Sequence, residues 1–130
     1  MLLKPVGILV VTALLFFVAC ATTQPVYNVS QAPIASNKPN PSMDDISRAI
    51  VRAGSGLGWQ MNPDRPGHLT GRLMLRTHVA VVDVDYTQTL YSIKYRESTN
   101  LDAEDGKIHK NYNGWIQNLD KGIRVQLQNL

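Results

Sequence analysis

Two carboxylates in the sequence have the spacing of an acid–base pair. Asp83 and Asp85 lie two residues apart in a Val-rich segment, so on a strand their side chains would share one face, about 7 Å apart. Carboxyl groups roughly 5 to 9.5 Å apart can hydrolyse glycosidic bonds. Lys94 is a diagonal neighbour on the predicted register, and ordinary charge pairing on a solvated face explains these residues more simply. We therefore predict no catalytic residue.

The histidines and the glycine-rich segment do not match a known site. His68, His78 and His109 are far apart in the chain and without His-x-x-x-His spacing, and the chain has one cysteine. We therefore predict no metal site and no cofactor. The glycines of GSGLG, residues 54–58, follow a predicted helix, whereas a phosphate-binding loop opens one. The segment also lacks the G-x-S-x-G pattern of a serine nucleophile.

Five aromatic residues are open to two interpretations. They could form a stacking surface for a glycan, or they could pack in the core. Their alternate spacing on a strand and their stripe on a helix favour the core. The residues are Tyr86, Tyr91, Tyr95, Tyr112 and Trp115.

Two amphipathic helices are predicted to position these side chains. The first begins at Ser42, an N-cap followed by two acidic residues, and is stopped by Gly54, Gly56 and Gly58, of which Gly54 is a typical C′ residue. The second begins at His109 or Asn111. Apolar residues recur along it at helical spacing. Its stripe is Tyr112, Trp115, Ile116, Leu119, Ile123 and Leu127.

The residues between the helices read as strands. Residues 57–61 predict a short strand, 62–67 a turn, and 90–96 another strand. Residues 68–86 form either two strands or one long bent strand, and we favour the second because no good turn residue interrupts them. If the loop over residues 86–89 has an even number of residues, Val84 pairs with Tyr91, Val82 with Ile93 and Ala80 with Tyr95.

These elements predict an α+β fold in residues 42–130. Two helices would pack on one face of a three-stranded, possibly four-stranded, antiparallel sheet in the order α-β-β-β-α. The chain has 130 residues and 44% apolar residues, which suits one globular domain. A net charge of +3 is too small to indicate nucleic-acid binding.

The N-terminal segment is typical of an export signal. Lys4 precedes an uncharged, apolar run over residues 6–19. This run is short for a membrane span, which needs about 20 helical residues. We therefore predict that residues 1–19 are a signal peptide outside the fold.

The signal ends in Phe17-Val18-Ala19-Cys20, which resembles the lipobox of bacterial lipoproteins. The resemblance implies cleavage before Cys20 and fatty acylation of that residue, although Phe17 stands where the family favours Leu. Ala21 rather than Asp follows the cysteine, which in Gram-negative lipoproteins implies the outer membrane. The alternative is ordinary signal cleavage after Ala21, which would release a soluble periplasmic protein.

Residues 20–41 are predicted to form a flexible linker behind the lipidated cysteine. The segment holds four prolines and many polar residues, without apolar periodicity. An edge strand at Val26 and Tyr27 is the alternative, since Pro25 restricts a strand there to a sheet edge.

The domain itself resembles small proteobacterial envelope lipoproteins, a class without an assigned activity. The resemblance covers most of residues 43–130 and is strongest at RTH (76–78), YSI (91–93) and YNGW (112–115). It implies an envelope location and no mechanism. We therefore expect a non-enzymatic lipoprotein, held to the membrane by its lipid, that presents its domain to an envelope protein. The alternative is a periplasmic domain that binds or acts on cell-wall glycan or lipid through Asp83, Asp85 and the tyrosines.

Overall fold

The described secondary structure lies within residues 22–130. The computed structural model describes residues 2–14 and 22–130, and residues 2–14 are exposed without regular secondary structure. The described elements, in chain order, are β1 (Thr23–Pro25), β2 (Val29–Pro33), α1 (Met43–Gly56), β3 (Gln60–Arg65), β4 (His68–Leu75), β5 (His78–Tyr86), β6 (Leu90–Thr99), β7 (Lys107–His109) and α2 (Lys110–Gln128). Within this part of the chain, no helix is both long and apolar enough to cross a membrane.

Helix α1 begins where its sequence predicts. The Ser42 hydroxyl accepts a hydrogen bond from the Asp45 amide, and the Asp45 carboxylate accepts one from the Ser42 amide, which forms a capping box. The helix continues past the predicted stop at Gly54 and ends at Gly56. The left-handed residue is Gly58, with φ of 87°. The C′ residue, which follows the C-cap Leu57, is therefore Gly58 rather than Gly54, four residues later than predicted.

Helix α2 also forms as predicted, with His109 as its N-cap. Its apolar stripe is buried except for Trp115, which is partly buried, whereas Gly114 and Gly122 carry no side chain to pack. At Gly122 a Cβ would meet Leu57 at 3.4 Å. This is an ordinary van der Waals distance, so Gly122 lies against the end of α1 with room for a methyl group.

The main sheet has five antiparallel strands in the order β2-β6-β5-β4-β3. Strands β3 to β6 form a meander, and β2, which comes before α1 in the chain, pairs with the free edge of β6. The chain therefore crosses the sheet through α1. A second, two-stranded sheet joins β1 to β7.

Both helices pack on one face of the main sheet and form the core with it. The opposite face, called here the outer face, carries most of the polar strand residues. Buried residues alternate along β5, as expected for a sheet covered on one side. The core includes Ile46 and Ile50 of α1, Val82 and Val84 of β5, Ile93 of β6, and Ile116 and Ile123 of α2.

The predicted three- or four-stranded sheet with the order α-β-β-β-α is wrong. The architecture is α+β, but the order is β-β-α-β-β-β-β-β-α, with five strands in one sheet and two in another. Four local features account for the difference: a turn inside residues 68–86, a longer strand before them, strands in the predicted linker, and the short strand β7 before α2.

Residues 68–86 form two strands rather than one bent strand. Leu75 pairs with His78, so Arg76 and Thr77 are the two turn residues. Arg76 has a positive φ of 55°. Such a turn normally carries Gly, Asn or Asp, which explains why the sequence pattern did not reveal it.

Most of the predicted turn at 62–67 belongs to β3. Pro63 pairs with Leu69, and only Pro66 and Gly67 connect the two strands. Proline is tolerated because β3 is an edge strand, where one side of the backbone has no partner. A register shift between Pro63 and Arg65 leaves Asp64 bulged.

The predicted register between β5 and β6 is out by two residues at Val82 and Val84, which keeps the parity, and by three at Ala80, which pairs with Ser98. Val84 pairs with Ile93, and Val82 pairs with Tyr95. The same side chains therefore face the core. The register shifts once, between Val81 and Val82, because β6 contains an extra residue opposite them.

The predicted linker is part of the fold over much of its length. Residues 23–25 and 29–33 are strands, and β2 is the edge strand of the main sheet. Val29 and Ala32 of β2 are buried. The predicted domain start at residue 42 is therefore too late, and the edge-strand alternative lay close to the observed strand.

Tyr112 is a buried residue whose hydroxyl has no hydrogen-bond partner in the described part of the protein. Its ring packs edge-on against Tyr95, with centroids 5.6 Å apart, and burial raises the pKa of Tyr112. We expect Tyr112→Phe to raise the free energy of unfolding by about 1 kcal/mol, because it removes a desolvated, unpaired hydroxyl. Urea denaturation measures the change. Tyr95→Phe is the control, since the Tyr95 hydroxyl lies 2.9 Å from Ser98 Oγ, and destabilisation by Tyr112→Phe would contradict the assignment.

Candidate functional site

The two predicted carboxylates lie on the outer face and are paired with cations. Asp83 Oδ2 is 3.7 Å from Arg96 Nε, and Asp85 Oδ2 is 3.9 Å from Lys94 Nζ. Asp83 also contacts His68. The two carboxylates therefore do not face a shared substrate space as a glycosidase pair would.

His68 is held between two carboxylates. Its Nδ1 lies 2.6 Å from Asp64 Oδ1, and its Nε2 lies 2.8 Å from Asp83 Oδ1. The imidazole is buried, with a side-chain exposure of 8%, although it projects from the outer face. The β-bulge in β3 aims Asp64 back towards the ring, and β5 supplies Asp83 from the other side. This group is called the Asp64–His68–Asp83 cluster.

The cluster favours a charged histidine. Ionised carboxylates accept hydrogen bonds but cannot donate them. Both ring nitrogens of the histidine must therefore carry protons to bond to two such groups. The hydrogen bond that His68 donates to Asp64 raises the pKa of His68 against the opposing effect of burial. The bond to His68 in turn lowers the pKa of Asp64. While both bonds are made, His68 has no free lone pair with which to accept a proton.

Sequence reasoning missed Asp64 because it placed that residue in a turn. The relevant signal was the i, i+4 spacing of Asp64 and His68 across a short hairpin. The other two histidines lie elsewhere: His78 Nδ1 donates to the Asn100 carbonyl at 2.6 Å, and His109 caps α2. Among the described residues, no group of three or more His, Cys, Asp or Glu side chains is arranged to hold a metal ion.

A cleft of about 380 Å³ lies beside the cluster, between the start of α1 and the turn that joins β3 to β4. Its wall includes both acidic and basic groups as well as apolar surface. The lining residues are Met43, Asp44, Ser47, Pro63, Asp64, Arg65, Pro66 and Tyr86. This is called the distal cleft, because it lies at the end of the sheet away from β1.

A second polar group is buried under β2. The Tyr91 hydroxyl donates to Asp120 Oδ1, and Arg124 reaches both partners, with its Nη2 2.8 Å from Asp120 Oδ2. Tyr91 and Asp120 are buried. Burial, followed by the bond to Asp120, raises the pKa of Tyr91 to about 12. The phenol is therefore a neutral donor that stabilises a buried carboxylate.

We expect Tyr91→Phe to lower the free energy of unfolding by about 1–3 kcal/mol, because it removes one of the partners of the buried Asp120 carboxylate. Chemical denaturation at neutral pH measures the loss. Tyr27→Phe is a matched control, since the Tyr27 side chain is 37% exposed, and it should change stability little. Equal effects of the two substitutions would contradict the role of Tyr91.

The aromatic residues lie mainly in the core, as their spacing predicted. Tyr86, Tyr91 and Tyr112 are buried, and Tyr95 and Trp115 are partly buried against the core. Ser55 lies in the last turn of α1, where it has neither the context of a nucleophile nor that of a phosphate loop. The structure therefore does not assemble the glycan-stacking surface.

The chain just before β2 is fixed to α2 by one buried amide. Asn113 Oδ1 accepts from the Tyr27 amide at 3.0 Å, and Asn113 Nδ2 donates to the Pro25 carbonyl at 2.9 Å. The Lys110 amide also donates to the Thr22 carbonyl at 2.9 Å. The fold is thus held from residue 22 onward. The predicted lipidation site, Cys20, lies outside the described residues.

Comparison with known proteins gives no relative to guide the assignment. No family model matches the chain, and no curated protein matches it.

Proposed function

We propose that this protein is a bacterial cell-envelope lipoprotein, anchored through acylated Cys20, that presents its α+β domain as a non-enzymatic binding or structural module. The observation that carries the proposal is the sequence FVAC at the end of an uncharged N-terminal run. The chain has one cysteine, and it stands at that boundary.

The position of the fold is compatible with removal of the signal. Residues 2–14 are exposed, and the first buried core residue among the described ones is Val29. Cleavage before Cys20 would therefore remove none of the described core. The first described strand begins at Thr23, three residues after the acceptor.

The anchor fixes the location of the domain. Each buried methylene contributes about 0.8 kcal/mol, and two acyl chains are enough for stable membrane attachment. With Ala21 after the cysteine, the domain belongs on the periplasmic face of the outer membrane. The soluble periplasmic alternative requires cleavage after Ala21 instead.

The geometry favours a binding module over a glycan-processing enzyme. Both nitrogens of His68 are engaged, Asp83 is bonded to His68, and three of the tyrosines are buried. Strand addition is restricted, because edge strand β2 ends in Pro33 and edge strand β3 contains Pro63. The distal cleft, which lies away from the anchor, is the surface we assign to an envelope protein partner.

Mass spectrometry of the protein purified from bacterial membranes tests this proposal. The expected mature chain begins at Cys20 and carries the mass of two or three acyl chains. A chain that begins at Thr22 would establish ordinary secretion instead. A chain that retains Met1 with a free thiol would contradict both export and lipidation.

A further inference from the structure

We propose that the tip of the β4–β5 hairpin inserts into the surface of the bilayer to which Cys20 ties the chain. This inference rests on the proposed lipidation and adds an orientation: one end of the sheet rests on lipid. Met74 and Leu75 are the apolar groups that enter it.

These two residues are the most exposed large apolar side chains of residues 22–130. Met74 is 57% exposed and Leu75 is 49% exposed. They are adjacent on β4, so their side chains point to opposite faces of the hairpin. A groove on a protein partner would cover one face. A lipid surface that the tip enters end-on can bury both.

The hairpin tip lies at the same end of the sheet as the start of the fold. Asn100 Nδ2 donates to Thr77 Oγ1 at 2.7 Å, which ties the tip to the chain after β6. The next residue, Leu101, accepts a hydrogen bond from the His109 amide at 2.8 Å, and Lys110 in turn binds the Thr22 carbonyl. A continuous series of bonded neighbours therefore connects the tip to residue 22.

The length of the chain limits how far this end can lie from the lipid. Three peptide units join Cys20 to Thr23, so their Cα atoms are at most about 11 Å apart. Strand β1 is paired with β7 from Thr23 onward. An acylated Cys20 therefore holds this end close to the headgroups, and no long linker separates them.

Apolar contact rather than net charge would drive the insertion. This end carries Arg76, Lys107 and Lys110, but the loop between β6 and β7 carries Asp102, Glu104 and Asp105. The three cations and three anions balance. Attraction to anionic lipid is therefore weak, and the contact should persist at high salt.

Site-directed fluorescence on the acylated, mature protein in phosphatidylcholine vesicles tests the orientation. Because acylation blocks Cys20, a new cysteine at Met74 or Leu75 can be labelled alone with an environment-sensitive dye. Val125→Cys is the matched control, since Val125 is 47% exposed in a groove between the two helices. Exposed positions are chosen so that the label does not disturb the core.

We expect the emission of the labels at 74 and 75 to shift to the blue on plain vesicles. We expect their emission intensity to fall when the lipids carry a quencher. The loss should be larger with a quencher near the headgroup than with one deep in the acyl region, because interfacial contacts reach about 5–10 Å into the boundary. The label at 125 should not respond. A response at only one of positions 74 and 75, or an equal response at 125, would overturn end-on insertion.

Co-sedimentation of the same vesicles separates this inference from the proposed function. If the protein carries no acyl chain and does not sediment with vesicles, the lipoprotein proposal fails. If it is acylated and sediments but neither hairpin label is quenched, the lipoprotein proposal stands and the orientation is wrong.

Discussion

Cys20→Ser is expected to abolish fatty-acid incorporation and to remove the protein from the outer-membrane fraction. The serine hydroxyl cannot form the thioether through which the lipobox cysteine is acylated. Without acyl chains, the contribution of about 0.8 kcal/mol per buried methylene is lost. Metabolic labelling with an alkyne fatty acid, followed by density-gradient separation of the two membranes, measures both effects.

A displaced thiol is the matched control for this substitution. Ser55 is exposed near the end of α1, so Ser55→Cys combined with Cys20→Ser restores the number of thiols at another place. It should not restore labelling or outer-membrane recovery. If the Cys20→Ser protein remained acylated and stayed in the outer membrane, the anchor would lie elsewhere.

His68→Leu is expected to lower the free energy of unfolding by about 2 kcal/mol near pH 5.5, because it removes two charge-assisted hydrogen bonds. Asp64 and Asp83 then lose their buried partner and must be solvated again. Denaturant titrations of both proteins over a series of pH values measure the difference.

The pH dependence of this difference follows from the two pKa shifts. The pKa of His68 is raised above 6.5 in the folded state, so its contribution is complete below 6.5 and is lost as the pH rises through the folded-state pKa. The pKa of Asp64 is lowered below 3.8, so its contribution is present above 3.8 and is lost as the pH falls through the folded-state pKa. The stabilisation is therefore greatest between these values and declines towards alkaline pH.

Asp85→Asn is the control, because Asp85 lies opposite His68 on the neighbouring strand, but its carboxylate is paired with Lys94 at 3.9 Å, whereas the imidazole is bonded to Asp64 and Asp83. It should change stability little and should not alter the pH profile. Asp83→Asn should make the free energy of unfolding depend less on pH. A difference between wild type and His68→Leu that stays constant from acidic to alkaline pH would contradict a charged His68.

The helices were predictable from the sequence because their signals are local. The Ser42 cap, the acidic first turn and the apolar stripes of both helices lie within a few residues of each other along the chain. The face of each strand in the β5–β6 pair was also predictable, since it depends only on alternation. Such features need no information about distant partners.

The number of strands was not predictable, because it depends on pairing between residues that are far apart in the chain. The turn at Arg76 and Thr77 contains neither glycine nor asparagine, and its positive φ is stabilised by the strands on either side. Strand β2 is short and rich in polar residues, and its partner β6 lies about sixty residues later. Pairing between distant strands overrides local preference in both cases.

The Asp64–His68–Asp83 cluster was only partly visible in the sequence. The spacing of Asp83 and Asp85 placed both on one face, as the structure shows. Asp64 was hidden because a bulge in an edge strand turned it towards His68. Bulges re-aim single side chains without changing the apolar pattern, so the pattern carries no sign of them.

The long sequence separations in the N-terminal part of the fold have a consequence for biogenesis. The Gln31 amide bonds to Ser92 Oγ, 61 residues later, and Pro25 and Tyr27 bond to Asn113, more than 80 residues later. A polypeptide that is translocated from its amino end would deliver β1 and β2 long before their partners arrive. Contacts of this kind form slowly, and unpaired strands invite association with other chains. On the proposed export route, the nascent protein is therefore expected to depend on a holding chaperone until the last helix has crossed the membrane.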